Sequence, residues 1–218
     1  IAAIEGIGEV YHLAANMGGI SWITTYLAQI ASDNTQIDLN MLIAAKDANI
    51  DRIFYSSSAC AYPVHLQNSP AVTSLKEEQA YPANPEPGYG WEKLYAEQLF
   101  EYYLKDWGLE TRVARFHNVY GPEGTFKGGR EKAPGALCRK ISEAPVGGYG
   151  DVWGDGLQTR SFLYVQDCVE GIYRIMRAGY PYPINLGSDR LIAIKDLAEM
   201  IRKISGKKLE FRFDLTGP

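Results

Sequence analysis

Short apolar runs alternate along the chain with longer stretches in which apolar residues recur every three or four positions. This alternation predicts strands separated by amphipathic helices. Glu9-Val10-Tyr11-His12-Leu13-Ala14 reads as a strand, and Asp33 to Asp47 as a helix with Ile37, Met41, Leu42 and Ala45 on one face. Arg52-Ile53-Phe54-Tyr55-Ser56 is the next strand, emptying into a loop rich in Pro and Ser. Tyr89 to Trp107 is a helix carrying Leu94, Leu99, Tyr102 and Tyr103, and Gly108 stands where a helix commonly stops. Thr111 to Phe116 is again a strand. The pattern predicts an α/β fold, a Rossmann-like parallel sheet with helices on both faces.

Beyond Gly121 the alternation loosens. The stretch from Gly124 to Arg130 is glycine-rich and basic, and a helix begins near Ala133, with Pro134 in its first turn where a missing N–H costs little. Arg160 to Val165 reads as a strand, Gln166 to Ala178 as a helix, and Ile184-Asn185-Leu186-Gly187 as a short strand. Ile194 to Ile204 is helical and Leu209 to Phe213 is a last strand. There is no internal repeat and no low-complexity segment.

Composition narrows the classes of function. The 218 residues are 46% hydrophobic and 22% charged with a formal net charge of -4, the balance of an ordinary globular chain able to bury a core. A mildly acidic surface gives no case for nucleic acid or for an anionic membrane, so an anionic ligand needs a local basic cluster. No apolar run reaches the length of a membrane span and no signal segment opens the chain, which together lead us to expect a cytoplasmic protein with no membrane partner. Three cysteines, Cys60, Cys138 and Cys168, are too few and too odd in number for a disulfide framework, and the three scattered histidines offer no metal site.

Two groups of residues carry chemistry. Tyr89 and Lys93 stand four apart at the start of a helix, hence on one face. An ammonium beside a phenol favours the phenolate, so a tyrosine titrating at about 10 could act as a base nearer neutrality. Taken alone, Tyr-x-x-x-Lys is a weak signal. Upstream, a strand ends in Ser56-Ser57-Ser58-Ala59-Cys60-Ala61-Tyr62-Pro63, and the carboxyl end of a parallel strand is where open α/β sheets bind ligands. Cys60 is a competent carbon-acid base once a neighbouring keto group acidifies a C–H. Lys127-Gly128-Gly129-Arg130-Glu131-Lys132-Ala133-Pro134 then places cations just before a helix. Lys132 at a helix start is mildly disfavoured by the helix dipole, which hints at another use.

The ordering of Ser58, Tyr89 and Lys93 resembles the extended short-chain dehydrogenase/reductases. So do His12-Leu13-Ala14-Ala15, Asn34, Asn118-Val119-Tyr120-Gly121-Pro122, Arg160-Ser161-Phe162 with Asp167, and Asn185-Leu186-Gly187. Within that superfamily the chain is similar to the GDP-mannose 3,5-epimerases. The likeness lies in Arg115-Phe116-His117-Asn118, Tyr120-Gly121-Pro122, the Lys127–Pro134 run, and Trp153-Gly154-Asp155-Gly156-Leu157-Gln158-Thr159-Arg160-Ser161-Phe162. It runs through essentially the whole chain.

The resemblance implies an NAD-dependent nucleotide-sugar epimerase acting on GDP-mannose. Ser58, Tyr89 and Lys93 would assist transient oxidation at sugar C4, and Cys60 and Lys132 would exchange protons at C3 and C5 from opposite faces. Tyr89, Lys93, Ala14, Ala15 and Asn34 would meet NAD. Gly18, Ser58, Cys60, Asn118, Glu131, Lys132, Ala133, Lys140, Gln158, Thr159, Arg160, Ser161 and Phe162 would meet the nucleotide sugar, with Arg160 and Lys140 neutralising the diphosphate. Residues 1–120 would then be part of an NAD-binding Rossmann domain. Residues 121–218 would be a small C-terminal α/β substrate-binding part, with some segments returning to the first domain. Members of the superfamily usually pair as homodimers through the Tyr-x-x-x-Lys helix, and the aromatic residues Tyr95, Phe100, Tyr102 and Tyr103 there fit such an interface or core packing equally well.

Departures bear on the sugar. The plant family has Asp where this chain has Asn16, and Trp22 and the serine-rich run around Cys60 also differ. No glycine-rich phosphate loop lies between a first strand and first helix, so the chain reads as a fragment whose open reading frame supplies that loop. A GDP-fucose synthase, a nucleotide-sugar 4-epimerase or 4,6-dehydratase, and a catalytically silent nucleotide-sugar binder stay open as alternatives. The fucose synthases share the cysteine but use His where this chain has Lys132.

Overall fold

The computed structural model describes residues 4–67 and 74–216. In chain order, β1 (Glu9–His12) leads into α1 (Ile20–Thr25) and α2 (Leu27–Asp47). Next, β2 (Arg52–Ser58) ends in a 3₁₀ turn at Ala59–Ala61 and the short α3 (Val64–Gln67). A second 3₁₀ turn, Glu77–Ala80, precedes α4 (Tyr89–Trp107), β3 (Glu110–Phe116) and β4 (Val119–Tyr120). Then follow α5 (Ala133–Glu143), β5 (Tyr149–Trp153), β6 (Thr159–Ser161), β7 (Leu163–Tyr164) and α6 (Val165–Arg177). The last elements are β8 (Ile184–Leu186), β9 (Leu191–Ala193), α7 (Ile194–Ser205) and β10 (Glu210–Asp214).

Four strands form a parallel sheet in the order β1-β2-β3-β8. Its middle strands are covered on both faces, so Ile53, Phe54 and Tyr55 are all buried and read as a continuous apolar run. Helices α2 and α4 lie on one face, where Leu42, Ala45, Ala96 and Phe100 pack on Ile53, Tyr55 and Val113. Helix α6 covers the other, with Ile172, Ile175 and Met176 against Phe54 and Ala114. The fold is the expected doubly covered parallel sheet. His12 is in register with Tyr55, and Ser58 with Phe116, so the strand ends that carry candidate residues share one edge.

The remaining C-terminal elements build a second layer. Helices α5 and α7 pack on the parallel pair β5 and β10 through Leu137, Val152, Ile194 and Ala198. Strands β6 and β9 pair antiparallel, and β4 pairs with β7. Between them in sequence, α6 and β8 return to the first sheet.

Helix α4 has the predicted bounds, and Gly108 closes it in the left-handed conformation (φ 69°). Several elements differ from expectation, among them the short α1, α3, β4 and β9, and three of the differences have a clear cause. The strand predicted over Arg160 to Val165 breaks at Phe162 into β6 and β7, which pair with different partners. Helix α2 starts at Leu27 rather than Asp33, because its buried stripe, Ile30, Asn34, Asp38, Leu42 and Ala45, contains two polar residues that hide the apolar period. Strand β5 has a glycine at one of its two buried positions, Gly150, and so lacks an apolar alternation. Among the described residues no helix is long and apolar enough to cross a membrane, and no group of His, Cys, Asp and Glu is placed to hold a metal.

Candidate active site

The site grows from the end of β2. The Ser58 hydroxyl accepts the Cys60 N–H (3.2 Å), folding Ala59–Ala61 into its 3₁₀ turn. The Cys60 carbonyl turns back to accept the Glu86 N–H (3.3 Å), just before α4. Gly88 enters the helix with φ 69°, a conformation open to glycine. Gly90 meets the turn directly, since a Cβ there would lie 2.3 Å from the Cys60 carbonyl oxygen. This approach brings Ser58, Cys60 and Tyr89 together. Gly90→Ala is therefore expected to push the turn and helix apart and to cost roughly 1–3 kcal/mol, the range for overpacking, measured by urea denaturation.

Lys93 is fully buried and does not address the Tyr89 hydroxyl. Its ammonium donates to the Tyr55 hydroxyl (2.9 Å), 3.8 Å from Glu92 and 5.6 Å from the centre of the Tyr89 ring. Burial, with the nearby Cys60 and Glu92, holds the Tyr89 phenol well above its ordinary range, and Ser58 pulls it back only in part. The expectation of a phenol near neutrality is thus corrected: desolvation dominates because the expected counter-charge is turned to Tyr55.

Tyr55 is the centre of a buried polar network. Its hydroxyl lies 2.9 Å from Asp38 and 3.2 Å from Glu92, and His12 Nε2 bonds Asp38 at 2.6 Å. If the phenol donates to Asp38 and accepts from Lys93, the contact to Glu92 is a hydrogen bond only when Glu92 carries the proton. Burial accordingly raises Glu92 to about 8, with Asp38 adding to the rise against the pull of Lys93. Asp38 is lowered, because the His12 bond and the Lys93 charge together outweigh its own burial. Folded protein thus holds a Glu92 proton that the unfolded chain releases above about 4.5. Stability should fall as pH rises from that value towards 8. Glu92→Gln is expected to flatten the fall, seen as a smaller loss in the urea midpoint between pH values at the two ends of that window.

Asn34, expected to meet the cofactor, lies beneath the loop after β1. It is fully buried, accepts the Asn16 N–H (2.6 Å), and donates to the Asn16 carbonyl and to Glu92 (both 3.1 Å). Its amide fixes the loop after β1 from below. Ala14 is exposed and Ala15 half-buried along that loop, and Gly18 is buried where a Cβ would lie 2.7 Å from Trp22 Cβ.

The opposite wall comes from the C-terminal elements. Lys132 is the N-cap of α5, with Ala133 the first residue of the helix. Burial lowers the Lys132 ammonium, and Cys60 and Cys168 raise it in part. Burial likewise raises the Cys60 thiol, with Ser58, Lys132 and Arg160 pulling it down. Thiol and ammonium therefore lie within electrostatic reach of each other. Glu131 is turned aside to the Gly129 N–H (2.7 Å) and Arg139 (3.4 Å). Lys140 bonds the Asp151 carbonyl (3.2 Å) and sits 4.7 Å over the Trp153 ring. Asn118 donates to the Ser161 carbonyl (3.1 Å), and Gln158 to that of Trp153 (3.1 Å). Thr159, Arg160 and Ser161 form β6, Arg160 is exposed, and Phe162 meets Tyr120 edge-on.

Tyr55, Asp38, His12 and Glu92 were not read from the sequence as part of the site. The available signal was a polar residue every fourth position, Asn34 and Asp38, in line with buried Leu42 on α2.

The sequence profile of the NAD dependent epimerase/dehydratase family matches residues 1–187. GDP-mannose 3,5-epimerase of Arabidopsis thaliana is 47% identical over 205 residues, 94% of this chain and 54% of the plant protein. GDP-L-fucose synthase of Escherichia coli K12 is 30% identical over 228 residues, covering 99% of this chain and 70% of that protein. Among solved structures, a UDP-glucuronic acid 4-epimerase from Bacillus cereus in complex with UDP-glucuronic acid and NAD superposes with a TM-score of 0.81. It is 26% identical, covering 97% of this chain and 64% of that one. The chain spans about half the length of the GDP-mannose 3,5-epimerases it matches.

Proposed function

Because the chain belongs to the NAD dependent epimerase/dehydratase family, we propose that it carries the proton-exchanging site of a GDP-mannose 3,5-epimerase. The observation that carries this reading is the nearness of Cys60 to both Tyr89 and Lys132, Tyr89 buried and the other two half-buried, each sensing a neighbour's charge. The plant relative at 47% identity is the supporting likeness.

The residues present fit the nicotinamide end of NAD. Tyr89 and Lys93 stand at the carboxyl edge of a parallel sheet, and Leu13-Ala14-Ala15 leaves β1 there with two small side chains. Bound against Tyr89, Lys93, Ala14 and Ala15, NAD would supply reversible oxidation at sugar C4. Tyr89, oriented by Ser58, would take the C4 hydroxyl proton as phenolate, a state reached when the Lys93 ammonium, 5.6 Å from the Tyr89 ring, turns from Tyr55 towards it. The resulting 4-keto group acidifies the hydrogens on C3 and C5. Cys60 removes one of these as thiolate, and Lys132 delivers a proton to the opposite face. Both pKa displacements suit these roles, because burial makes the thiolate more basic and the ammonium more acidic. Arg160 and Lys140 would face the diphosphate, with Gly18, Asn118, Glu131, Ala133, Gln158, Thr159, Ser161 and Phe162 lining the remainder.

The exposed Trp91, Tyr95 and Tyr102 on α4 support a homodimer through that helix, and three free cysteines suit a reducing, cytoplasmic setting. The test is to incubate the complete open reading frame with NAD and GDP-mannose in heavy water and follow the sugar protons by NMR. Deuterium at C3 and C5 with new L-sugar signals is expected. No exchange with NAD bound would sink the GDP-mannose reading.

A further inference from the structure

Cys60 and Lys132 belong to different parts of the fold, and something must set their spacing. We propose that the Arg130 guanidinium stacked on the Trp22 indole is a clasp that holds Lys132 at its working distance from Cys60, which makes Trp22 and Arg130 positioning residues. The inference rests on the proton exchange proposed above and names two residues outside its acid–base set.

The segment that delivers Lys132 has little shape of its own. Residues 122–130 are exposed throughout, and Gly128 and Gly129 adopt φ of 94° and 83°. Arg139 holds its middle through the Phe126 carbonyl (2.8 Å), and its end is fastened to the wall that carries Trp22. The Arg130 guanidinium carbon lies 3.9 Å from the centre of the Trp22 ring, and the Gly19 N–H donates to the Arg130 carbonyl (3.1 Å). A Cβ on Gly19 would lie 2.5 Å from the Glu131 carbonyl oxygen, so the two backbones are in direct contact. Lys132 follows as the N-cap of α5.

The other half of the clasp is anchored in the Cys60 wall. Trp22 packs with Met17 and Cys60 around Ile23, Ile30 and Tyr89. Its indole N–H donates to Asn16 Oδ1 (3.2 Å), and the Asn16 amide donates to Asp33 (2.9 Å). Buried Asn34 grips the Asn16 backbone on both sides. The indole is thereby held against the same buried cluster that Cys60 packs on, while its face carries the cation that leads into Lys132. A planar stack reinforced by a backbone contact fixes separation more tightly than a surface ion pair between flexible chains. Misplacing a reacting group by about 1 Å can cost on the order of 100-fold in rate.

The test uses the complete open reading frame loaded with NAD, comparing Trp22→Ala, Arg130→Ala, their combination, and Trp22→Phe. Each alanine is expected to lower kcat for deuterium exchange at C3 and C5 by about 10–100-fold, with KM changed far less. The double variant should be no worse than the poorer single, and Trp22→Phe, which keeps a ring face, should stay near the parent. In a Cys138→Ser background, iodoacetamide should alkylate Cys60 several-fold faster in both alanine variants, read by peptide mass spectrometry. Unchanged exchange in the alanine variants, strictly additive losses, or a Trp22→Phe defect as large as that of Trp22→Ala would overturn the clasp. Absence of exchange in the NAD-loaded parent would instead defeat the GDP-mannose reading. Alkylation then decides alone, and unchanged Cys60 rates would overturn the clasp as well.

Discussion

Replacing Cys60 by alanine, or Lys132 by methionine, is expected to slow exchange of the sugar C3 and C5 hydrogens by about 10²–10⁴-fold, the usual worth of a positioned acid or base. The effect should be large because both groups are half-buried and partly desolvated, so water substitutes poorly for either. Methionine keeps most of the Lys132 stem and its packing, so the loss reports the ammonium. The two losses should overlap in the double variant, since one catalytic event needs both groups. The proposed mechanism makes oxidation at C4 depend on Tyr89, so single-turnover reduction of NAD should survive in both variants. Equal loss of that reduction would mean that the substitutions had damaged the cleft rather than removed an acid or a base.

Glu97→Ala is expected to cost about 3–5 kcal/mol of stability, the range for removing one partner of a buried ion pair. Glu97 and Arg115 are both nearly inaccessible and meet in a two-pronged contact, with Arg115 Nε at 2.9 Å and Nη2 at 2.7 Å. The guanidinium also reaches the Glu77 carbonyl (2.8 Å) and covers the Tyr62 ring at 4.7 Å. Ser57 donates to the same carboxylate, so truncation orphans a hydroxyl and a buried cation together. Urea denaturation of the variant measures the cost. A midpoint close to that of the parent would show that water enters and solvates Arg115 cheaply.

What the sequence revealed depended on the kind of signal. The bounds of α4 were legible residue for residue, because a glycine stands at each end and apolar positions recur between them. The first six residues of α2 were not, since Leu27, Ala28 and Gln29 are exposed and the buried stripe beyond them is partly polar. The same stripe explains what was missed in the site. Asp38 and Asn34 look like surface residues on paper, yet they form the floor that holds Lys93, Tyr55 and Glu92. Motif spacing placed Tyr89 and Lys93 on one helical face but could not say where the ammonium points. That direction is set by Tyr55, on a strand far away in sequence. The nearness of Trp22 to Arg130 was equally out of reach, because no local pattern links residues so far apart.

The groups of the cleft come from the end of β2, the start of α4, the cap of α5 and strand β6, spread between residues 58 and 160. No local piece of the chain can therefore assemble it. Each helix and hairpin-sized contact can form early, but the cleft exists only after the loops between these segments have closed, an entropic cost met late in folding. Until then Cys60 lies as open to oxidants as the other cysteines, so the order in which the chain folds also decides how long this thiol goes unprotected.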